Sequence, residues 1–308
     1  MSSNPLISVT LISMNHEKFI EQAVTSIINQ SYQNIEVIFL DNNSKDKTFE
    51  IAESLLKKST LRYTCIKNVE DKGVSENLNT QVKLANGEFI SVISGDDWFE
   101  KDDIETRLRH LQKNNLDVIY ANGNKFIDNL NCFQDLYTKQ FIKQINTIIN
   151  NCFQENIAQN LLFCPGFFVK KQILIENEFD VNIDAEDWDI NLRLARKNYQ
   201  FGFVNKKLFN YRILTNSLSN NYEKMEKSYF QITDKYLDEI KKNPKAKKKY
   251  DIKLIEFRIN KIKQNENNKY NQKKLLEIYK ELNFIKYNLP KRFYKNQINY
   301  FKYLLRKL

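Results

Sequence analysis

Three short apolar runs and a fourth, more polar strand between them, the first three of the four each followed by a helix-spaced pattern, restrict this chain to one class of fold. LISVTLISM (residues 6–14), IEVIFL (35–40) and EFISVIS (88–94) carry the apolar mass of buried strands, and Arg62–Ile66 reads as a further strand between the second and the last. Between the first two, Phe19, Ile20, Ala23, Val24, Ile27 and Ile28 recur at helical spacing, with Asn15 placed to cap their helix. Ile51, Leu55 and Leu56 mark a second helix. Val74, Leu78, Val82 and Ala85 mark a third, which Asn86-Gly87 should end in a left-handed cap. Three strand–helix units feeding a fourth strand define a mostly parallel, doubly wound α/β sheet.

An open sheet of this kind holds its ligand outside the carboxyl ends of its strands. The fourth strand breaks at Gly95 and delivers Asp96 and Asp97 to that edge, ahead of a helix carrying Ile104, Leu108 and Leu111 with Asp102 placed to cap it. Two carboxylates with no His or Cys beside them are hard oxygen ligands that suit Mg²⁺ or Mn²⁺ rather than zinc, and an ion held this way clamps a diphosphate. Asp41 closes the second strand, where it can accept hydrogen bonds from a ligand or from the amides of its own turn. The glycines form neither G-x-G-x-x-G nor a Walker loop, so any nucleotide would have to be held another way, metal and carboxylates being the obvious means.

After a strand at 116–121 the pattern becomes less regular. Leu161–Leu174 reads as a strand near a turn, and Ala185-Glu186-Asp187-Trp188 opens a helix in which Trp188, Leu192 and Ala195 share a face. Glu186 and Asp187 either complement the helix dipole or divide the labour with the first acidic pair, one set holding metal and the other removing a proton. Trp98 and Trp188 each follow an acidic pair, where an aromatic face either meets a ligand or packs in the core.

Composition separates two regions. Residues 220–308 hold 24 Lys/Arg against 10 Asp/Glu, whereas residues 1–219 hold 24 against 28, so the net charge of +10 comes entirely from the C-terminal part. A nucleic-acid protein would carry its basic face on the recognition domain itself; here a catalytic body of residues 1–219 bears a basic helical appendage, residues 220–308, and no specific nucleic acid is expected. The four cysteines have no CxxC spacing and read as reduced, structural thiols. No apolar run approaches the ~20 residues that cross a bilayer. The N-terminal MSSNPLISVT has no basic segment followed by a signal-like core, so a cytoplasmic location is expected.

Four blocks in order, VTLISMNHEKFIEQAVTSIINQSYQNIEVIFLDNNSKDKT, GVSENLNTQVKLANGEFISVISGDDW, AEDWDINLRL and FNYRILTNSLS, together resemble the family 2 glycosyltransferases of GT-A fold, of the bacterial surface-polysaccharide type. The resemblance spans roughly residues 6–219. It implies an inverting transfer of a sugar from a nucleotide-diphosphate donor, usually a UDP-sugar, to an acceptor hydroxyl on a glycan or lipid-linked glycan. By position it implies Asp41 on the nucleobase with Ile12, Ser13 and Met14 as the wall beside it, Asp96 as principal ligand of Mn²⁺ or Mg²⁺, and Asp97 in support of the donor site. Lys72 would reach the diphosphate, and Asp187 would be the general base with Glu186 beside it. Met14, Asn42, Leu78 and Ser94 stand where the family often has an aromatic residue, a second aspartate, an arginine and an aspartate.

In the appendage, Tyr222, Met225, Tyr229, Ile232, Tyr236 and Ile240 mark one helix, and Ile252, Ile255, Ile259 and Ile262 another, with Asn243-Pro244 between them. The segment 291–308 has six Lys/Arg and no acid around an apolar stripe of Tyr294, Ile298, Phe301, Leu305 and Leu308. Such a stripe suits the surface of an anionic membrane, making the enzyme peripheral on its inner face, or packs on the catalytic body or on a second copy in a homo-oligomer. Two other function classes stay open: a sugar-nucleotide-binding or scaffold protein of the same fold, and, less favoured, a nucleic-acid binder working through the basic helices.

Overall fold

The computed structural model describes residues 4–162, 164–214, 221–264 and Ile278. Its elements run β1 (Ile7–Ser13), α1 (Ile20–Ile28), β2 (Ile35–Asp41), α2 (Thr48–Lys58), β3 (Arg62–Lys67), α3 (Val74–Leu84), β4 (Phe89–Ser94), β5 (Trp98–Phe99) and α4 (Asp103–Lys113). There follow β6 (Val118–Ile127), β7 (Cys132–Asp135), α5 (Lys139–Asn150), α6 (Cys152–Asn156), β8 (Phe168–Lys170), α7 (Lys171–Glu176), α8 (Glu186–Arg196), β9 (Phe201–Ile213), α9 (Tyr222–Asp234), α10 (Leu237–Lys242) and α11 (Pro244–Gln264). Two compact units divide them: residues 1–156 with 160–232, and residues 157–159 with the chain from 233 onward.

In the first unit the strands order as β3-β2-β1-β4-β8-β6-β9-β5, with β7 beside β6. The four expected strands form the parallel half, as β1 pairs in parallel with β2 and β4, and β2 with β3. Period-2 alternation then sorts their side chains into two layers. Val9, Leu11, Val37, Phe39, Phe89 and Ile93 bury against α1, α2 and α4; Ile38, Ile90 and Val92 bury on the opposite face against α3, α7 and α8. Helices therefore cover both faces, as the unbroken apolar runs require.

The other half is mixed: β8 is antiparallel to both β4 and β6, whereas β6 runs parallel to β9. The expected strand over Leu161–Leu174 shrinks to Phe168–Lys170, because the chain turns directly into α7. α4 crosses beneath this half with Arg107 and Asp103 wholly buried as an ion pair. Arg107 also donates to Phe167 O and Ser91 Oγ and lies between the rings of Phe99 and Phe168.

Three expected caps are replaced by longer-range bonds. Asn15 adopts a left-handed backbone (φ 56°) and its side chain accepts from Lys45 N at 2.9 Å, so it shapes the β1 turn rather than capping α1, whose N-cap is Phe19. Asp102 is the N-cap of α4, but its carboxylate takes Lys206 and the Thr106 hydroxyl rather than helix amides. Helix α3 ends at Ala85 with extended backbone, and neither Asn86 nor Gly87 is left-handed. Their N–H groups instead donate to the buried carboxylate of Glu36, which Ser8 Oγ also reaches at 2.5 Å. A β-carbon on Gly87 would lie 2.5 Å from Ser8 Oγ, so only glycine fits that approach.

In the second unit α10 and α11 meet at Asn243, whose side chain accepts from Lys245 N and Ala246 N and starts α11. The single helix expected from Tyr222 to Ile240 is two, because the chain tightens before Tyr236, whose N–H bonds back to Thr233 O at 3.0 Å. The apolar repeat continues through the break and hides it. The stripe expected at 291–308 lies outside the described residues. Among the described residues no helix is long and apolar enough to cross a membrane.

Candidate active site

Register brings the ends of three strands together. Ser13 on β1 lies opposite Asp41 on β2, and Ile12 opposite Ser94 on β4, so Asp41, the Ser13–Met14 turn and Asp96 share one edge of the sheet. Gly95 makes the contact close: its N–H bonds Ile12 O at 2.8 Å, and a β-carbon there would sit 2.3 Å from Ser13 Oγ. This edge is the crevice where an open α/β sheet takes its ligand.

Asp41 fills the turn role with one of its two carboxylate oxygens. Its Oδ1 accepts from Ser44 N at 2.8 Å, which fixes the turn, while its Oδ2 is buried with no partner. Ser13 Oγ is likewise buried and unpartnered. Buried polar atoms are usually paired, and this carboxylate oxygen and this hydroxyl lie side by side at one strand edge. Ile12 is half-buried beside them and Met14 is exposed, with its sulfur 3.9 Å from Asn42 Nδ2.

Asn42, where the family often has an aspartate, organises the neighbouring loop. Its Nδ2 donates to Asp71 Oδ1 at 2.7 Å, and its Oδ1 accepts from Asn68 Nδ2 at 3.0 Å and Lys72 N at 3.1 Å. Asp71 also accepts from Gly73 N; that bond and the Asn42 amide hold its carboxyl below the usual range. Lys72 thus has its backbone fixed at this edge, while its ammonium, 3.5 Å from Glu76, is half-exposed.

The first acidic pair divides into one outward and one inward carboxylate. Asp97 is buried and turned to β9, where its Oδ1 accepts from Arg212 N at 2.8 Å; burial and the Asp96 charge push its carboxyl well up. Asp96 keeps a solvent face, and no lysine or arginine pairs with its carboxylate among the described residues. The sequence offered no histidine near this pair, but the fold supplies one: His16 Nε2, in the β1–α1 turn, lies 4.0 Å from Asp96 Oδ2. No group of three His, Cys, Asp or Glu side chains capable of holding a metal occurs among the described residues. The donor set nevertheless fits a divalent ion that shares its coordination with substrate phosphates, the usual way Mg²⁺ is held.

Arg212 is the residue that sequence reasoning passed over. Its Nε donates to Asp96 O at 2.9 Å, and its terminal nitrogens reach Asp128 at 2.5 Å and Gln22 at 2.6 Å. The guanidinium lies 4.5–5.1 Å from the rings of Phe19, Trp98 and Phe126. Trp98 packs edge-on against Phe126 and Phe133 and keeps part of its surface exposed. A charged residue inside the alternation of a buried strand was the available signal.

The second acidic pair opens α8. Asp187 Oδ2 accepts from Asn160 Nδ2 at 3.1 Å. Burial, and then the Asp187 and Asp184 charges, push the Glu186 carboxyl up to about 8. Trp188 does not offer a sugar platform: it is 4% exposed, its Nε1 donates to Asn156 O at 2.8 Å, and its ring lies on Tyr229. The approach to α8 is tied to α3, since Asn79 bonds Phe179 N and O through its side chain and Ser75 Oγ donates to Ile183 O. The loop carrying Lys72 and the start of α8 therefore share α3 as a common support.

The chain belongs to glycosyltransferase family 2, whose family model matches residues 8–171. Among particular relatives, it is 26% identical over 220 residues to glycosyltransferase GlyA of Streptococcus pneumoniae, covering 69% of this chain but only 31% of that protein. It is 26% identical over 261 residues to WfgD of Escherichia coli, a UDP-Glc:α-D-GlcNAc-diphosphoundecaprenol β-1,3-glucosyltransferase, covering 83% of this chain and 94% of that one. The structure of Staphylococcus aureus TarS residues 1–349 in complex with UDP-GlcNAc superposes with a TM-score of 0.57 at 17% identity, covering 91% and 87%. That likeness shows the shared GT-A fold.

Proposed function

We propose that the protein is an inverting glycosyltransferase that moves a sugar from a nucleotide-diphosphate donor, most simply a UDP-sugar, to an acceptor hydroxyl during synthesis of a bacterial surface glycan. The observation that carries this reading is the shared strand edge: an unpartnered buried acceptor on Asp41, a second on Ser13 and the outward carboxylate of Asp96. WfgD and TarS bear names or bound ligands of the UDP-sugar type, which agrees with it. In this reading residues 1–219 are the catalytic domain and residues 220–308 a helical extension.

Each residue then has a task. Asp41 Oδ2 accepts from the N–H of the base, with Ile12, Ser13 and Met14 as the adjoining wall, and Lys72 offers its ammonium to the diphosphate. Asp96 holds Mn²⁺ or Mg²⁺, and Asp97 braces the Asp96 turn from within. The ion, when bound, neutralises charge on the departing diphosphate. Asp187 takes the proton of the acceptor hydroxyl while that oxygen attacks the anomeric carbon on the face opposite the diphosphate. Trp98, half-exposed after the acidic turn, is the aromatic face for sugar or acceptor.

The test is hydrolysis of a panel of UDP-, GDP- and dTDP-sugars with Mn²⁺ or Mg²⁺, since water can replace an unknown acceptor. Metal-dependent cleavage of one donor, lost in Asp96→Ala and Asp187→Asn, is expected. Absence of both cleavage and UDP binding would overturn the reading. For residues 291–308 we propose contact with an anionic membrane where lipid-linked acceptors lie; deleting them should move the protein from the membrane to the soluble fraction, and an unchanged distribution would refute this.

A further inference from the structure

One carboxylate is a weak anchor for a divalent ion, and at this strand edge Asp97 is turned inward and Ser94 is uncharged. The group that faces Asp96 is His16. Its position is set by backbone bonds on both sides: His16 N donates to Thr48 Oγ1 at 2.7 Å, and its carbonyl accepts from Phe19 N and Ile20 N at 2.8 and 2.9 Å. The ring stands edge-on to Phe19, with Nδ1 buried, which leaves Nε2 as the nitrogen a ligand can reach.

The 4.0 Å between Nε2 and Asp96 Oδ2 is too long for a hydrogen bond. It lies within the ~4.2 Å that two bonds of ~2.1 Å to one ion can span. Both side chains are partly open to solvent, at 19% and 15%. We propose that His16 is the second protein ligand of the donor-site metal, so that Asp96 and His16 present one oxygen and one nitrogen to an ion whose remaining positions are completed by the donor diphosphate and water. An imidazole favours first-row transition ions, and the pair therefore selects Mn²⁺ over Mg²⁺. Because two protein ligands are few, the ion binds tightly only together with the nucleotide. The inference rests on the donor-site reading above, and the experiment separates the two.

The chain has two histidines, so His110→Gln leaves His16 as its sole imidazole. That variant, purified without a histidine tag, is loaded with Mn²⁺ and UDP and examined by electron spin-echo envelope modulation, alongside calorimetry of UDP binding with each metal. Expected is ¹⁴N modulation from a coordinated imidazole that changes to the ¹⁵N pattern on ¹⁵N-histidine labelling. Adding His16→Gln should abolish it and weaken Mn²⁺-dependent UDP binding ~10-fold or more, with a smaller effect in Mg²⁺. If Mn²⁺ and UDP bind together and Asp96→Ala abolishes this, yet no nitrogen coupling appears and His16→Gln binds normally, His16 is not a ligand while the donor site stands. If the starting protein binds no Mn²⁺ with UDP, the donor-site reading falls and this inference with it.

Discussion

Arg212 holds both members of the first acidic pair at once: its Nε donates to the carbonyl of Asp96 at 2.9 Å, and its backbone N–H donates to the carboxylate of Asp97 at 2.8 Å. The strand β9 thus grips the turn that follows β4, and the outward aim of Asp96 depends on a residue more than a hundred positions away. Arg212 is a positioning residue, buried under three aromatic rings.

Arg212→Lys keeps the charge but loses the planar fork that reaches Asp96, Asp128 and Gln22 together. Metal-dependent UDP affinity should fall ~10–100-fold, the range typical of groups that support a ligand from behind. Calorimetry with Mn²⁺ and UDP measures it, with circular dichroism confirming the fold. Unchanged affinity would remove Arg212 from the site.

Asn42 stands where an aspartate is common in the family, and the structure gives the reason: its partner is Asp71, 2.7 Å away, which needs a donor. Asn42→Asp would set two carboxylates against each other and break the bond that fixes loop 68–73, which carries Lys72. UDP affinity should fall and the loop should become more susceptible to protease, whereas the double variant Asn42→Asp with Asp71→Asn restores a donor and recovers much of the loss. A failure of the second change to rescue would show that the pair is not what matters.

How much of this was legible in the sequence follows from the range of the forces involved. The parallel half of the sheet was readable because β1, β2 and β4 are buried on both faces, so that burial itself writes the pattern; β3, at the edge, is mostly exposed and carries a weaker one. The half around β6, β8 and β9 was legible only at its start, the strand at 116–121: β8 is three residues long and antiparallel to both neighbours, and the long parallel pair β6 and β9 shifts register at Ala121–Gly123 and leaves many of its residues partly exposed, so no apolar run marks it. Asp96 and Asp41 were visible because a strand end is a local feature. His16 beside Asp96, Arg212 behind it and Asn160 on Asp187 were invisible, because each is a contact between segments that only the folded sheet brings together. Trp188 misled because an aromatic residue after two acids looks the same whether its face meets a sugar or Tyr229.

Glu36 gives a prediction about acid stability. Burial alone would push its carboxyl up, but the Ser8 hydroxyl and the Asn86 and Gly87 N–H groups outweigh it, and the net shift is below the ordinary value of 4.5. A depressed folded value means that the unfolded chain binds the proton first as pH falls. The contribution of Glu36 is therefore complete above about pH 4.5 and is lost as pH drops through the lower folded value. Glu36→Gln should cost about 2 kcal/mol at pH 7, the scale of hydrogen bonds to a buried charge, and distinctly less at pH 3. Urea unfolding at the two pH values tests this, and an equal cost at both would refute it.

The second acidic pair makes the opposite prediction. Burial and the neighbouring Asp187 raise Glu186 from 4.5 to about 8, so the folded protein keeps a proton that the unfolded chain releases. Stability should fall as pH rises from about 4.5 to about 8, and Glu186→Gln should remove that slope. With its proton on, Glu186 leaves the pair one negative charge fewer, which suits a site facing a diphosphate. Above pH 8 the extra charge returns, and kcat/KM for the donor should decline in the parent but not in Glu186→Gln. At pH 7 the Gln variant should stay within ~10-fold of the parent, whereas Asp187→Asn should lose ~10²–10⁴-fold, the range of a general base. If Glu186→Gln is as inactive as Asp187→Asn and the stability slope persists, then Glu186 ionises at the site and shares the work of the base.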